Sequence, residues 1–484
     1  MAAGGSLPGW AVGLSIFGTY LSSNTFIGVP GKAYGGNWNG FVFSLSLPLA
    51  AWVAVKWFVP FYRRTGEISA YHHLEKRFGP WARTYTLTCY LLTQLARVGA
   101  ILFGVALGLN ALTGWSMPAI IIMAGVAVTF YTLLGGIEAV IWTDVIQSIV
   151  LLVGAVAIAV LLVVNYPGGA NEAINLANKA DKFSLGSFAV DFTQSTFWVM
   201  LLYGIFINLN NFGIDQSFVQ RYHAARDERE AKRSVWLGAL LYVPVAALFF
   251  FIGSMLFSYY EASPNLRNKV QTQAAKIELV KKGAGVTPVS LENKIAAQEH
   301  KDYGDKILPH FIATQLPTGV AGLLIAAIFA AAMSSIDTSL NSSATVTLKD
   351  FFQRHLKRGQ DEEDSMRILR GATLVWGVLG TGVALAMIGQ KSLLDTWWKV
   401  SGIFAGGMLG LFLLGLISRK ANNAAAATGV ILGVLVICWM TFADFFPENL
   451  RSPFHTNMIT VIGTLTIFFA GLGVSRLQKG HPQN

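Results

Sequence analysis

The chain has 484 residues, of which 53% are hydrophobic and 13% are charged. Soluble domains carry about 25% charged residues, so this balance excludes an ordinary soluble enzyme or binding domain. The runs at 237–255, 371–387 and 424–442 are each long enough to cross a hydrocarbon core of ~30 Å. The net charge of +10 is spread over the segments between such runs, which is typical of membrane topology rather than of a nucleic-acid-binding face. The composition predicts an integral membrane protein with many spans.

We predict twelve spans, all helical, because backbone groups in lipid must be satisfied within one segment. In chain order they cover residues 10–28, 38–62, 84–113, 117–134, 139–165, 192–213, 234–259, 308–346, 367–388, 393–417, 422–447 and 455–476. The polar segment 260–307, between the seventh and eighth spans, is predicted to form a short surface helix or mobile loop on the outer side.

Lysine and arginine are distributed unequally between the two sides of the predicted membrane. Outside 260–307, twenty of them, including Arg221, lie on the side of the two chain termini. The opposite side has only Lys32, Lys179, Lys182, Lys391 and Arg451. Because short cytoplasmic loops are enriched in these residues, we expect both termini in the cytoplasm.

The first span contains a run of polar residues and helix breakers. Hydroxyl and amide side chains fill Gly18-Thr-Tyr-Leu-Ser-Ser-Asn-Thr25, and Gly28, Pro30 and Gly31 follow. An interrupted helix frees backbone carbonyls for a cation and amides for a ligand, as in many transporters. The alternative is that the hydroxyls bond back to their own helix. The clustering with glycine and proline favours a broken span that forms a binding site.

The eighth span carries a second polar run, Ala331-Ala-Met-Ser-Ser-Ile-Asp-Thr-Ser339. At helical spacing Ser334, Asp337 and Thr338 share a face, as do Ala331, Ser334 and Ser335. Oxygen ligands without sulfur or imidazole suit a hard cation, and the scarcity of carboxylates favours a monovalent one. Packing of small residues is the alternative, but it does not account for a buried aspartate.

Two further charged residues are expected at membrane depth, where such groups indicate function. Asp144 begins the fifth span, either as a helix cap or with Asp337 around a second cation or a shared proton. Arg97 lies in mid-span, and its planar fork matches a carboxylate. Its partner is either an anionic substrate or a protein acid, with Asp144 and Asp337 as the candidates by depth. The amide-rich stretch 208–216 either lines a sugar cavity or ends the sixth helix.

At these residues the sequence resembles the sodium/solute symporter family over essentially its whole length. The most specific motifs are Ala331–Asn341, Gly135-Gly-Ile-Glu…Thr-Asp-Val-Ile-Gln147, Val219-Gln-Arg-Tyr222 and the run from Ile68 to Gly79. Within the family it is most similar to the bacterial sialic acid transporters, through Leu21-Ser-Ser-Asn-Thr-Phe26, Pro30-Gly-Lys-Ala-Tyr34 and Arg97. The family usually has one more span before the position at which this chain begins.

The resemblance implies an all-α, LeuT-like core of two inverted five-helix repeats, at 1–165 and 192–417, with two additional spans at 422–476. It implies a first sodium site at the carbonyls of Gly18, Leu21 and Ala331 and the hydroxyls of Ser334 and Ser335. It implies a second sodium site at Asp144, Ser334, Asp337 and Thr338. The substrate would contact Arg97 through its carboxylate, with Ser22, Thr25 and Ser44 nearby.

Two of these residues depart from the pattern of the family. Ser44 stands where the resemblance implies a glutamine, and Asp337 stands where it implies a serine. The first departure changes the polar contacts of a sugar. The second either strengthens cation binding or makes the site protonatable.

The sequence thus predicts a sodium-coupled importer of an acidic sugar, sialic acid or a relative, that works by alternating access as a monomer in the inner (plasma) membrane. Its expected partners are Na⁺, the small substrate and lipid, without nucleic acid. A neutral sugar or a monocarboxylate is the alternative substrate. We expect no enzymatic activity, because the sequence offers no convergent nucleophile and no His/Asp/Glu metal set. A channel would lack coupling, and a receptor would need an appended sensor domain.

Overall fold

The computed structural model describes residues 6–22, 24–67, 69–134, 137–281, 287–356, 361–390 and 392–477. Within these ranges the chain is helical, and its only β pairing is an isolated bridge between Leu7 and Ala225. The all-α prediction is confirmed.

The first half of the described chain forms α1 Gly9–Tyr20, α2 Val29–Gly35, α3 Trp38–Thr65, α4 His72–Phe78, α5 Pro80–Thr113, α6 Met117–Leu134, α7 Ile137–Val164 and α8 Gly169–Lys179. The second half forms α9 Phe197–Ile214, α10 Gln216–Ala224, α11 Glu228–Glu261, α12 Pro264–Lys281, α13 Pro288–Ala296, α14 His300–Gln315, α15 Thr318–Val346, α16 Glu362–Ala386, α17 Leu393–Ile417, α18 Asn423–Thr441 and α19 Met458–Leu477. In the described ranges ten helices are long and apolar enough to cross a membrane. The broken pair α1–α2 and the shorter apolar helix α6 correspond to the other two predicted spans.

The first span is interrupted where the sequence predicts. Helix α1 ends at an extended Leu21 (φ −92°, ψ 109°), and a wide turn at Asn24–Gly28 leads into α2. Pro30 lies in the first turn of α2, where its missing N–H has no helical partner to lose. The span therefore continues to Gly35 rather than ending at residue 28.

The predicted start of the eighth span is wrong. Residues 308–315 belong to α14, and α15 begins only at Thr318, because Leu316 and Pro317 have extended backbone that ends one helix before the next. The preceding segment, predicted as a short helix or loop, also folds into α12, α13 and the start of α14. Capping boxes at Thr287 and Glu299 satisfy the free N–H groups that begin α13 and α14.

Close helix contacts hold the broken span in place. A Cβ built on Gly238 of α11 would lie 2.6 Å from Ile16 Cγ2 of α1, and one on Gly253 would lie 2.4 Å from the Pro30 carbonyl oxygen of α2. Small residues allow helices in a membrane to approach this closely. Helix α11 thus supports both halves of the broken span, which also packs against α7 and α15.

Candidate substrate and cation sites

A central cavity with a volume of about 80 Å³ lies between the broken span and helices α5, α9, α11 and α17. Its polar lining includes Ser22, Asn24, Thr25, Arg97, Asn210, Asn211, Asp215 and Ser335. The aromatic rings of Tyr203, Trp397 and Trp398 complete much of the wall. A mostly enclosed pocket with a few convergent polar groups is typical of a small-molecule site.

Arg97 lies in this wall, with its guanidinium carbon 5.7 Å from the centre of the Trp397 ring. Among the described residues it makes no ion pair. The protein acid Asp144, one of the two candidates for its partner, instead pairs with Arg221 at 2.9 Å. The five N–H groups of the guanidinium are therefore available to an anion in the cavity.

The three other predicted substrate residues are only partly brought together. Ser22 and Thr25 line the cavity, and both are buried. Ser44 is buried on α3 but does not line the cavity. Tyr242 of α11 lies in the wall instead, and its hydroxyl contacts the hydroxyls of both Thr25 and Ser44. The tyrosine is a cavity residue that the sequence reasoning missed, because its position depends on how α11 packs.

The residues of the predicted first sodium site face each other across the break. Ser335 Oγ lies 3.4 Å from the Leu21 carbonyl oxygen, and the carbonyl of Gly18 accepts a 3.0 Å bond from the Leu21 N–H. A Cβ built on Gly18 would be 3.5 Å from Ser334 Oγ, which is buried and has no hydrogen-bond partner in the described structure. Ala331 lies one turn earlier in α15. These oxygens are of the type that a monovalent hard cation prefers.

Asp144 lies inside α7, which begins at Ile137, so it does not cap that helix. The Ser15 hydroxyl donates to Asp144 Oδ2, and Arg221 Nη2 donates to the same oxygen at 2.9 Å and to Thr338 Oγ1 at 3.0 Å. Arg221 was predicted to lie in a segment between spans on the side of the chain termini; it lies instead within helix α10 and is completely buried. Its position beside a buried aspartate follows from tertiary packing and has no signal in the local sequence.

The predicted second sodium site therefore contains an arginine. Asp337 is fully buried, and its Oδ1 accepts the Thr338 N–H at 2.6 Å. Asp337 Oδ2, Asp144 Oδ1 and Ser334 Oγ have no hydrogen-bond partner among the described atoms. Two carboxylates and one guanidinium leave one net negative charge when all are ionised, which suits one monovalent cation.

The amide-rich stretch ends α9 and also lines the central cavity; its prediction as part of a sugar site stays a prediction. Asp215 caps α10 by accepting the Ser217 N–H at 2.8 Å, and it also lines the cavity. Asn210 and Asn211 lie in the same wall. The end of the helix is thus also part of the cavity.

A family model described as the sodium:solute symporter family matches residues 1–433. The chain belongs to the sodium:solute symporter family. Among its relatives is the sodium/sialic acid symporter NanT of Aliivibrio fischeri, which is 35% identical over 96% of this chain and 86% of that protein. The mouse sodium-coupled monocarboxylate transporter 2 is 27% identical over 91% of this chain and 67% of that protein.

A solved structure of a Na⁺-coupled sialic acid symporter, in a substrate-bound outward-open state, matches this symporter with a TM-score of 0.84. The two are 31% identical, and the match covers 98% of this chain and 91% of the other. The predictions of the family, of a LeuT-like helical membrane fold and of Na⁺ as the coupling ion are confirmed.

Proposed function

We propose that this symporter imports sialic acid or a closely related acidic sugar together with sodium. The observation that carries the proposal is Arg97, an arginine in the wall of the central cavity without an ion pair among the described residues. A carboxylate can accept two parallel hydrogen bonds from the guanidinium group of an arginine. Sialic acid transport by the A. fischeri relative and by the structural neighbour supports the same substrate class.

Sodium would bind between the broken span and α15. The first ion would contact the carbonyls of Gly18, Leu21 and Ala331 and the hydroxyls of Ser334 and Ser335. The second would contact Asp144, Ser334, Asp337 and Thr338. The unpartnered oxygens of Asp144, Ser334 and Asp337 support this second set.

We place the two inverted repeats at 1–165 and 192–417 and the additional spans at 422–476, with alternating access between them. The protein would act as a monomer in the bacterial inner membrane, surrounded by lipid, and without enzymatic activity. Two bacterial sialic acid symporters among the relatives support that location.

Sodium-driven uptake of labelled N-acetylneuraminate into proteoliposomes tests this proposal. We expect uptake in the wild type with an inward sodium gradient, and a fall of about 10- to 100-fold in apparent affinity for Arg97→Ala, since charge-assisted hydrogen bonds are lost. Arg97→Lys keeps the charge without the fork and serves as the matched variant. A correctly folded Arg97→Ala protein with unchanged affinity for N-acetylneuraminate would contradict the proposed role.

A further inference from the structure

Two asparagine side chains that line the central cavity have buried amide oxygens without hydrogen-bond partners in the described part of the chain. Asn24 lies in the wide turn of the broken span, and Asn210 lies near the end of α9. The side chains are 5% and 4% exposed, and neither Oδ1 has a hydrogen-bond partner in the described part of the chain. Because an unpaired buried acceptor costs free energy, such groups in a cavity indicate a ligand that supplies the missing donors.

An amide oxygen can only accept a hydrogen bond. A carboxylate at neutral pH carries no donor, so the carboxylate that Arg97 would bind does not satisfy Asn24 Oδ1 or Asn210 Oδ1. Hydroxyl or amide N–H groups elsewhere on the ligand can supply the missing donors. A small monocarboxylate with a short apolar body supplies few of them or none.

The polar groups of the cavity come from separate elements. Arg97 lies on α5, whereas Asn24 belongs to the broken span, Asn210 to α9 and Tyr242 to α11. A ligand that contacts all of them spans the cavity between these helices. Trp398 adds an aromatic ring to the lining of the same cavity.

We infer that Asn24 and Asn210 are specificity-determining residues that accept hydrogen bonds from the hydroxyl or N-acyl groups of the substrate. The substrate is accordingly a polyhydroxylated acid rather than a simple monocarboxylate. This inference rests on the proposed function, since it takes the carboxylate to be held by Arg97. The two amide oxygens need hydrogen-bond donors that a small monocarboxylate lacks, so the inference distinguishes this symporter from relatives that transport monocarboxylates.

Binding to the purified protein in saturating sodium, measured by titration calorimetry, tests the inference with N-acetylneuraminate and lactate. We expect the wild type to bind N-acetylneuraminate at least about tenfold more tightly than lactate. Asn24→Leu and Asn210→Leu should each weaken N-acetylneuraminate binding by about tenfold or more and leave lactate binding unchanged. Asn457→Leu is the matched control, because Asn457 is a buried asparagine outside the cavity, and we expect unchanged affinities.

Equal or tighter binding of lactate by the wild type would overturn the inference, and this comparison needs no folded variant. Unchanged N-acetylneuraminate affinity in folded Asn24→Leu and Asn210→Leu proteins would also overturn it. A lowered sodium affinity at unchanged sugar-acid affinity would assign the two oxygens to a cation instead. If the wild type binds neither acid or prefers lactate, the proposed function itself fails, whereas unchanged N-acetylneuraminate affinity in the two asparagine variants overturns only the assignment of Asn24 and Asn210.

Discussion

Arg221 changes the interpretation of the cation region at the level of single residues. It contacts Ser15, Asp144 and Thr338 through its side chain, and all four residues are buried. A buried ion pair is weak evidence for net stabilisation, but the removal of one partner leaves an uncompensated charge. Arg221 therefore supplies a positive charge beside Asp144, in a place where an isolated carboxylate would be strongly disfavoured.

Arg221→Met is expected to destabilise the protein by about 3–5 kcal/mol, because the carboxylate of Asp144 loses its ion-pair partner. Thermal unfolding in detergent measures the change. Arg226→Met is the matched control, since Arg226 is exposed and its substitution is expected to change stability little. Equal stability of Arg221→Met and the control would disprove a structural need for the guanidinium.

Asp337→Ser is expected to weaken sodium binding on the order of tenfold, because it removes the negative charge that Arg221 does not neutralise. The sodium concentration that half-maximally raises the unfolding temperature measures this effect. Thr347→Ser, directly after the end of α15 and beyond the proposed ligands, provides the control. An unchanged sodium dependence in Asp337→Ser would show that the carboxylate does not face the cation.

At the scale of helices, contacts on the predicted outer side tie α2, α14 and α17 together. Asp305 of α14 accepts the Leu393 N–H at 2.6 Å, and its Oδ1 would lie 2.3 Å from a Cβ on Gly31. Lys32 and Asp395 form an ion pair at 2.8 Å beside them. Helix α14 is outside the membrane-spanning segments, and burial raises the pKa of Asp305 to about 7.

The raised pKa makes this contact dependent on pH. A solvated aspartate in the unfolded chain has a pKa of about 3.9. Because the pKa of Asp305 is higher in the folded protein, the free energy of unfolding falls as the pH rises from about 4 to about 7, by up to about 4 kcal/mol. Above about pH 7 the ionisation of Asp305 lowers the free energy of unfolding no further. We expect the unfolding temperature to fall over this range and Asp305→Asn to remove that part of the dependence. Asp395→Asn, at a half-exposed site, should retain it. Identical pH profiles for the wild type and Asp305→Asn would contradict the prediction.

The packing of α11 on the broken span gives a second prediction for helices. Gly253→Val is expected to lower the unfolding temperature and sodium-driven uptake, because its side chain would meet the Pro30 backbone, which cannot move as a flexible side chain can. Gly382→Val places the same side chain on α16 in open space and is the control. Equal stability of the two variants would show that α2 adapts to the larger residue.

For the molecule as a whole, the substrate cavity and the first cation site share a residue. Ser335 lines the cavity and also contacts the Leu21 carbonyl of the broken span. A sodium ion bound to Ser335 and the Leu21 carbonyl would hold the broken segment in one conformation. Ser22 and Asn24, which line the cavity, belong to that segment. We therefore expect sodium binding and substrate binding to be coupled through the conformation of this segment.

Reciprocal affinities measure this coupling. We expect sodium to raise the affinity for N-acetylneuraminate by about 5- to 150-fold and N-acetylneuraminate to raise the sodium affinity by the same factor. Calorimetric titrations in both orders provide the two factors. Ser335→Ala should reduce both together, with Ser339→Ala on the same helix as the control. Substrate affinity that is independent of sodium would contradict coupling through the break.

Many of the proposed site residues were predictable from the sequence, because they are polar residues within otherwise apolar spans. The break after Tyr20, the serine-rich run of α15 and Arg97 stand out because polar groups at membrane depth are costly and need a partner. Asn210 and Asp215 were recognised as polar but remained ambiguous, since the same residues also suit a helix end. Arg221 and Tyr242 were missed, because a residue in a loop-like basic segment or an apolar helix carries no local sign of its neighbours.

The sequence by itself determined the membrane environment, most of the spans and the two polar runs that form the proposed sodium site, because each depends on composition along one segment. Only the tertiary structure decided which charges pair. It placed Arg221 rather than Arg97 against Asp144 and left Arg97 to the cavity. The physical reason is that an ion pair between separate helices depends on their packing and depth, and these are set by contacts far apart in the chain.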